Sequence, residues 1–221
     1  MTDPWLARLE KLDTCAVSDA MERVGLWGTV LGIHKQWNCP RIVGRAVTIK
    51  IKPVGLQKPT QHLCTPAIAA AEEGNVLVID NAGRQEVATW GGILSVAAKQ
   101  KGIRGVVIDG ACRDIDESED LAFPVYARAA VPVTARGRIM QESFNTEIQC
   151  GGVAVSPGDL VIADGSGVVF IPQSKAEEVL LQAEQIVERE RRMADEVRKG
   201  RSVVEVMEGM GYESMLEKKE F

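Results

Sequence analysis

The sequence predicts an α/β fold, a layered sandwich around a mixed central β-sheet with a C-terminal helical extension. Three observations point to it. Apolar strand-like runs alternate with helical periods from Ile42 to Asp114, glycine-rich turns separate short apolar runs after Val153, and a long striped helix follows Pro172. A chain of 221 residues, 45% of them hydrophobic, buries a sizeable core, and no stretch resembles a linker. The expected organisation is one α/β domain over residues 1–173 that carries the site, and a helical extension over residues 174–221 that packs on a neighbouring subunit.

Each element has a local reason. Trp5 to Val24 reads as one or two helices, Ile42 to Ile51 as a strand, Cys64 to Glu73 as a helix and Val76 to Asp80 as a strand. In WGGILSVAAKQKGIRGVVIDGACRD, Trp90 to Asp114, Gly91 and Gly92 free the backbone for a sharp turn. Ile93, Leu94, Val96, Ala97 and Ala98 then form the apolar side of a helix that ends near Gly102. Gly105 to Asp109 is a continuous apolar run, expected of a strand buried on both faces, and Gly110 is expected to end it. The acidic run IDESEDL after Asp114 reads as a short solvated helix, and Val125 to Val133 as a strand. Val153–Val155, Leu160–Ala163 and Val168–Ile171 are short strands separated by tight turns at Pro157-Gly158-Asp159 and Asp164-Gly165-Ser166-Gly167. Neither turn has the Lys-Ser/Thr ending of a phosphate loop.

The chemistry-bearing residues gather around that central segment. The first turn of a helix carries free N–H groups that hold a carboxylate or phosphate. Arg113 and Asp114 lie just past a strand's carboxyl end, where open α/β sheets collect ligands. Arg113 offers a planar fork to a substrate carboxylate, and Asp114 offers oxygen to a hard divalent cation. The plainer reading of an adjacent Arg-Asp pair is a solvated turn.

Composition narrows the rest. A net charge of −5 with no basic tract argues against nucleic acid as the main partner. No apolar run reaches membrane-span length and MTDPWLARLEKLD lacks a signal-peptide core, so a cytoplasmic protein with no membrane partner is expected. The five cysteines are scattered, odd in number and free of any Cys-x-x-Cys pair, and read as small buried residues. Cys112 beside Arg113 reads as packing rather than a nucleophile. With only His34 and His62 present, any metal must rest on oxygen ligands and water. His62 precedes a helix and reads as a capping or surface residue that could approach the site. Lys99 and Lys101 read as solvated, so no Schiff base is implied.

Ser174 or a neighbour caps the terminal helix, which runs to about Lys199 and stops at Gly200. Val179, Ala183, Ile186, Met193 and Val197 recur on one face together with Glu190. An acid there lies at the stripe's edge or is delivered to a neighbouring protomer, with Glu188 as the alternative candidate.

The central segment, with LDTCAVSDAMERVG (12–25), GNVLVIDNAG (74–83) and CGGVAVSPGDLVIADGSGVVFIP (150–172), resembles the signature of the RraA-like superfamily. Within it the chain looks most like the 4-hydroxy-4-methyl-2-oxoglutarate/4-carboxy-4-hydroxy-2-oxoadipate aldolases. The resemblance implies a swivelling-domain-like fold, a homotrimer or homohexamer, and a class II retro-aldol reaction serving aromatic compound catabolism. It implies Mg2+ or Mn2+ on Asp114, and a 2-oxo acid substrate gripped by Arg113 and by the backbone of Gly91, Gly92, Ile93 and Leu94. It also implies an acid of the C-terminal extension, Glu190 or Glu188, reaching the adjacent subunit's site, and oxaloacetate decarboxylation through the same enolate. The base that takes the 4-hydroxyl proton is not identified by the sequence. One departure stands out: these aldolases commonly carry an acid at the second position of the Gly-x-x-Leu turn, where this chain has Gly92. Two alternatives follow, a related 2-oxo acid lyase or decarboxylase, and a non-catalytic regulator resembling the ribonuclease E activity inhibitor, which does not keep the metal-binding Asp.

Overall fold

The structure, a computed structural model, describes residues 3–56, 61–210 and 212. The end of the predicted extension, residue 211 and residues 213–221, lies outside the described residues.

Two short helices open the fold, α1 (Pro4–Leu9) and α2 (Thr14–Arg23). Asp3 caps α1 by accepting from the N–H groups of Trp5 and Leu6, and Asp13 caps α2 through Ala16 N–H. Two-residue strands β1 (Thr29–Val30) and β2 (His34–Lys35) precede the long β3 (Ile42–Pro53) and helix α3 (Thr65–Ala70). Then come β4 (Val76–Trp90), α4 (Gly92–Gln100), β5 (Gly105–Cys112), α5 (Ile115–Asp120) and β6 (Val125–Ala130). Strands β7 (Ile139–Phe144), β8 (Ile148–Cys150), β9 (Val153–Val155), β10 (Leu160–Ala163) and β11 (Val168–Ile171) follow. A 3-10 turn at Gln173–Lys175 leads into α6 (Ala176–Arg198) and α7 (Val203–Gly209).

The main sheet is mixed. Its order is β1-β11-β10-β3-β4-β5-β6-β2, with β7 also pairing β3, and β8-β9 form a separate hairpin. Strands β3, β4, β5 and β6 run parallel at the centre, and the remaining pairings are antiparallel. Every residue of β5 is buried, as expected for a central strand covered on both faces. One core packs α3, α4 and α5 against β3, β4 and β5 around Ile49, Leu77, Trp90, Ile108 and Phe123. A second packs α1, α2 and α6 against β10 and β11, and a third lies beneath the β8-β9 hairpin.

Several boundaries differ from expectation for identifiable reasons. Gly110 does not end β5, which continues to Cys112; a Cβ at Gly110 would lie 2.9 Å from Arg84 O, so glycine there admits the neighbouring strand. Strand β4 does not stop at Asp80. It kinks at Ala82 (φ 51) and Gly83 (φ 71), its register slips between Asp80 and Arg84, and it resumes to Trp90. β6 stops at Ala130 rather than Val133. The buried side of α4 is Gly92, Leu94, Ser95 and Ala98, whereas Ile93, Val96 and Ala97 are exposed. Cys15 is exposed, and the other four cysteines are buried. Helix α6 starts at Ala176 from the 3-10 turn without a side-chain cap, and ends before Gly200 (φ 91). Its stripe of Val179, Ala183, Ile186 and Met193 is covered by α1 and α2 of the same chain, while Val197 is 40% exposed. Strands β1, β2, β7 and β8 and helix α7 are too short or too mixed in pattern to register in the sequence.

Candidate active site

The predicted residues converge where β4 and β5 end. Trp90, the last residue of β4, accepts the Arg113 N–H at 3.0 Å, which fixes the spacing of the two strand ends. Helix α4 leaves from one end and α5 from the other. Between them lies an open cavity of about 640 Å³, lined by the Gly91–Leu94 turn, Arg113 and Asp114. A cavity of equal volume at the opposite end of β5 is lined by Glu10, Arg41 and Arg104 and contains neither the Gly91–Leu94 turn nor Arg113 and Asp114.

Asp114 is the pivot. It adopts left-handed backbone (φ 57, ψ 48), which Asp tolerates better than most residues but still at a cost. That conformation turns its carboxylate back toward α4, where Oδ2 accepts the Gly92 N–H at 2.9 Å and lies 3.2 Å from Arg113 Nε. Both side chains are about one-third exposed, at 39% for Arg113 and 31% for Asp114. No described residue donates to Oδ1.

The two glycines act through space rather than through a sharp turn. Gly91 is extended (φ −161), and Gly92 has no positive φ, so ordinary residues could adopt both conformations. A Cβ at Gly91 would stand 2.6 Å from Asp114 Oδ2, and one at Gly92 would stand 1.6 Å from Glu117 Oε2. Side-chain-free backbone is what lets the Asp114 and Glu117 carboxylates approach the start of α4.

A buried hydrogen-bond chain holds this arrangement. Trp90 Nε1 donates to Ser95 Oγ at 2.9 Å, the Ser95 and Ser118 hydroxyls are 3.1 Å apart, and Ser118 Oγ donates to the Asp114 carbonyl at 3.1 Å. Trp90 also stacks on Phe123 with ring centroids 6.0 Å apart. One network therefore joins the end of β4, the first turns of α4 and α5, and the pivot residue. Sequence reading did not identify Trp90, Ser95, Ser118 or Glu117 as parts of the site. The serines carry no pattern of their own, and Glu117 is hidden within an acidic run.

His62 lines the cavity, as does Arg136 from the segment after β6. The His62 carbonyl accepts from Thr65 Oγ1, but the N-cap of α3 is Cys64 and no side chain caps that helix, so His62 is an exposed residue on the cavity wall and not a cap. Cys112 is buried and its thiol is pushed up to about 12, chiefly by burial, which fits packing and not nucleophilic chemistry. Lys99 and Lys101 bond to the carbonyls of Ala122 and Ala69, and no lysine among the described residues lines the cavity.

Glu190 and Glu188 do not line their own chain's cavity. Glu190 faces α2, where burial and then the negative charges of Asp13 and Asp19 raise its pKa. Glu188 is on the outer side of α6, paired with Arg192 at 2.9 Å.

The donor set suits a particular kind of cation. No group of three or more His, Cys, Asp or Glu side chains among the described residues is placed to enclose an ion. Asp114 presents one free oxygen to an open cavity, which fits Mg2+ or Mn2+ held by one carboxylate with water and substrate completing the shell.

The model of the RraA-like family, described as Aldolase/RraA, matches residues 14–170. The chain belongs to this family. A Halalkalibacterium halodurans protein provisionally named a 4-hydroxy-4-methyl-2-oxoglutarate aldolase is 31% identical over 208 residues, covering 92% of this chain and 95% of that one. An uncharacterised Pseudomonas syringae protein of known structure superposes with a TM-score of 0.84 at 32% identity, covering 93% of this chain and 98% of that one. A Streptomyces coelicolor member of the RNase ES inhibitor RraA family shares the fold, with a TM-score of 0.77 at 24% identity over 86% of this chain and 96% of that one. The RraA-like membership and the mixed α/β sandwich thus agree with the sequence reading. Among the described residues no helix is long and apolar enough to cross a membrane.

Proposed function

We propose that this RraA-like protein is a divalent-metal-dependent class II aldolase that cleaves a 4-hydroxy-2-oxo acid, such as 4-hydroxy-4-methyl-2-oxoglutarate, to pyruvate. The observation that carries this reading is the convergence of Arg113, Asp114 and the Gly91–Leu94 turn on one cavity at the carboxyl end of β5. Arg113 receives the substrate's 1-carboxylate, and the N-terminal turn of α4 adds backbone N–H donors to that grip. Arg136 supplies a second cation on the cavity wall, suited to the distal carboxylate of a dicarboxylic substrate. When bound at Asp114, a divalent cation supplies Lewis-acid polarisation of the 2-keto oxygen. The contact of Asp114 with the Gly92 N–H and with Arg113 engages Oδ2 and leaves the carboxylate's other oxygen as the one that would hold a cation.

The bond that breaks joins C3 to C4. As the 4-hydroxyl loses its proton, C4 becomes the carbonyl of the departing product, and the C3–C4 electron pair passes into the C2–C3 enolate. Protonation at C3 completes pyruvate. Oxaloacetate reaches the same enolate by losing CO2, so decarboxylation belongs to the same site.

The assembly is a trimer or a dimer of trimers in this reading. Ile93, 84% exposed beside the cavity, and Trp27 and Leu31, also exposed, are large apolar side chains that a neighbouring subunit would cover. Glu190 or Glu188 of such a neighbour then assists proton transfer.

Pyruvate release from 4-hydroxy-4-methyl-2-oxoglutarate and from oxaloacetate, measured with and without a chelator, tests the reading. Metal-dependent release is expected from both. No release with Mg2+ or Mn2+ present would count for a non-catalytic regulator resembling the ribonuclease E activity inhibitor, and release that survives complete chelation would remove the metal dependence.

A further inference from the structure

We propose that the cavity contains an apolar subsite for the group on C4 of the substrate, and that its preferred substrates are 4-hydroxy-2-oxo diacids whose C4 bears a hydrocarbon group larger than methyl. The proposal rests on the aldolase reading above and names the substrate class of that site. The lining divides by origin. Arg113, Asp114 and the Gly91–Leu94 turn come from the ends of β5 and β4. Leu63, Ile139 and Met140 come from the segment before α3 and from β7, which pairs the end of β3 with β4 and β3 between it and β5. Among the described lining residues, the only Asp, Glu, Lys or Arg on this second side is Arg136, and it is exposed.

The second wall is hydrophobic core that reaches the cavity surface. Leu63, Leu94 and Ile139 are buried members of the cluster around Ile49 and Trp90, yet all three line the cavity. Two hydrogen bonds hold the wall in place. Gln141 Oε1 accepts the Cys64 N–H at 3.0 Å, which ties the segment before α3 to β7. The Ala88 N–H donates to the Val133 carbonyl at 3.0 Å, which ties the segment after β6 to β4. Met140 is only partly buried, and its unbranched thioether chain adapts to the shape it meets. A hydrocarbon group seated against these side chains takes their bare surface out of water, which is the dominant favourable term in association. The volume of about 640 Å³ also lies within the range of pockets that enclose drug-sized ligands, more than a small oxo diacid needs. C4 of such a substrate carries the hydroxyl, a carboxylate for Arg136 and the hydrocarbon group. Cleavage breaks C3–C4 with net transfer of the hydroxyl proton to C3, and releases pyruvate and a second 2-oxo acid that keeps the hydrocarbon group. No further reactant is needed.

Two series test the proposal, each with methyl, ethyl and propyl members. The first is N-alkyl oxamates, unreactive ligands whose alkyl group stands where the C4 group would, titrated calorimetrically with Mg2+ present. The second is 4-alkyl-4-hydroxy-2-oxoglutarates, followed by pyruvate release. Affinity and kcat/KM are each expected to rise about two- to fourfold per added CH2. Met140→Gln keeps length and adds polarity, and is expected to flatten both series with circular dichroism unchanged. Affinity and kcat/KM that stay level or fall as the chain grows overturn the proposal, while pyruvate release from the methyl compound keeps the aldolase reading standing. A steep rise that Met140→Gln leaves unchanged overturns the assignment of this wall. Oxamates bound in a rising series by a protein that releases no pyruvate from any member remove the aldolase reading and the C4 assignment together.

Discussion

Gly91→Ala probes the site through a single methyl group. The added Cβ would stand 2.6 Å from Asp114 Oδ2 and 3.2 Å from Arg113 Nε, where ordinary contact begins at 3.4 Å. Asp114 must therefore retreat by about 0.8 Å, and Arg113 by a few tenths of an ångström. The retreat breaks or lengthens the 2.9 Å bond from the Gly92 N–H, a charge-assisted bond worth about 1.5–3 kcal/mol. The lower unfolded-state entropy of alanine offsets about 0.4–1 kcal/mol, since the extended backbone of residue 91 accepts it. A net loss of about 1–2 kcal/mol lowers Tm by about 3–6 °C in a chain of this size. Catalysis should suffer more, because a displacement approaching 1 Å in a reacting constellation costs up to about 10²-fold. Pyruvate release and a thermal melt on the same sample give both numbers. Unchanged kcat/KM with the predicted drop in Tm would show that the position of Asp114 does not govern the reaction, and an unchanged Tm would show that the close approach is not real.

Other perturbations separate chemistry from scaffold. Asp114→Gly and Asp114→Ala should both abolish metal-dependent pyruvate release, but the glycine variant should be the more stable by about 1 kcal/mol, because it relieves left-handed backbone at φ 57 that alanine would keep; equal melts would remove the strain argument. Ser95→Ala strips the buried Trp90 Nε1 of its acceptor and should cost about 1–3 kcal/mol, read by urea unfolding, with KM for substrate little changed. Burial and then Asp13 and Asp19 raise the Glu190 pKa, so the folded state binds that proton more tightly than the unfolded chain, and stability falls as pH rises above the ordinary value of 4.5. Glu190→Gln should therefore raise Tm at pH 8, with the difference from wild type shrinking toward pH 4.5. Mixed oligomers of Glu190→Gln and Arg113→Ala subunits should recover activity if the acid serves a neighbour, and none if it serves its own α2.

Much of the fold was legible because periodicity and burial agree. The central strands β3 to β6 follow apolar runs, and β5, buried at every residue, is the clearest case. What failed to show were features set by proximity in space. Gly110 and the Asn81-Ala82-Gly83 kink resemble strand ends, yet both lie inside strands, where one bulged chain crosses close to the next. The apolar Ile93 and Val96 suggested the wrong side of α4, because the helix buries Gly92 and Ser95 for polar reasons: one makes room for a carboxylate, and the other joins a hydrogen-bond chain. Arg113 and Asp114 were legible from their place after a strand, and the order of the chain alone brings them to the cavity.

The same distinction bears on how the site is built. Three of its charged groups, Arg113, Asp114 and Glu117, come from one short segment, but their positions are set by partners that donate no charge: two glycines that yield space, and Trp90, Ser95 and Ser118, which tie three elements together. A left-handed Asp114 persists because the Gly92 N–H and the Ser118 hydroxyl hold it at both its carboxylate and its carbonyl. Substitutions at the glycines and serines should then move the carboxylates without removing them. A relative with a side chain at position 92 must place the residue-117 side chain elsewhere, and one with a side chain at position 91 must release Asp114. The two positions control separate carboxylates, so a side chain at position 92 would displace the Glu117 carboxylate while the grip on Asp114 through position 91 is kept.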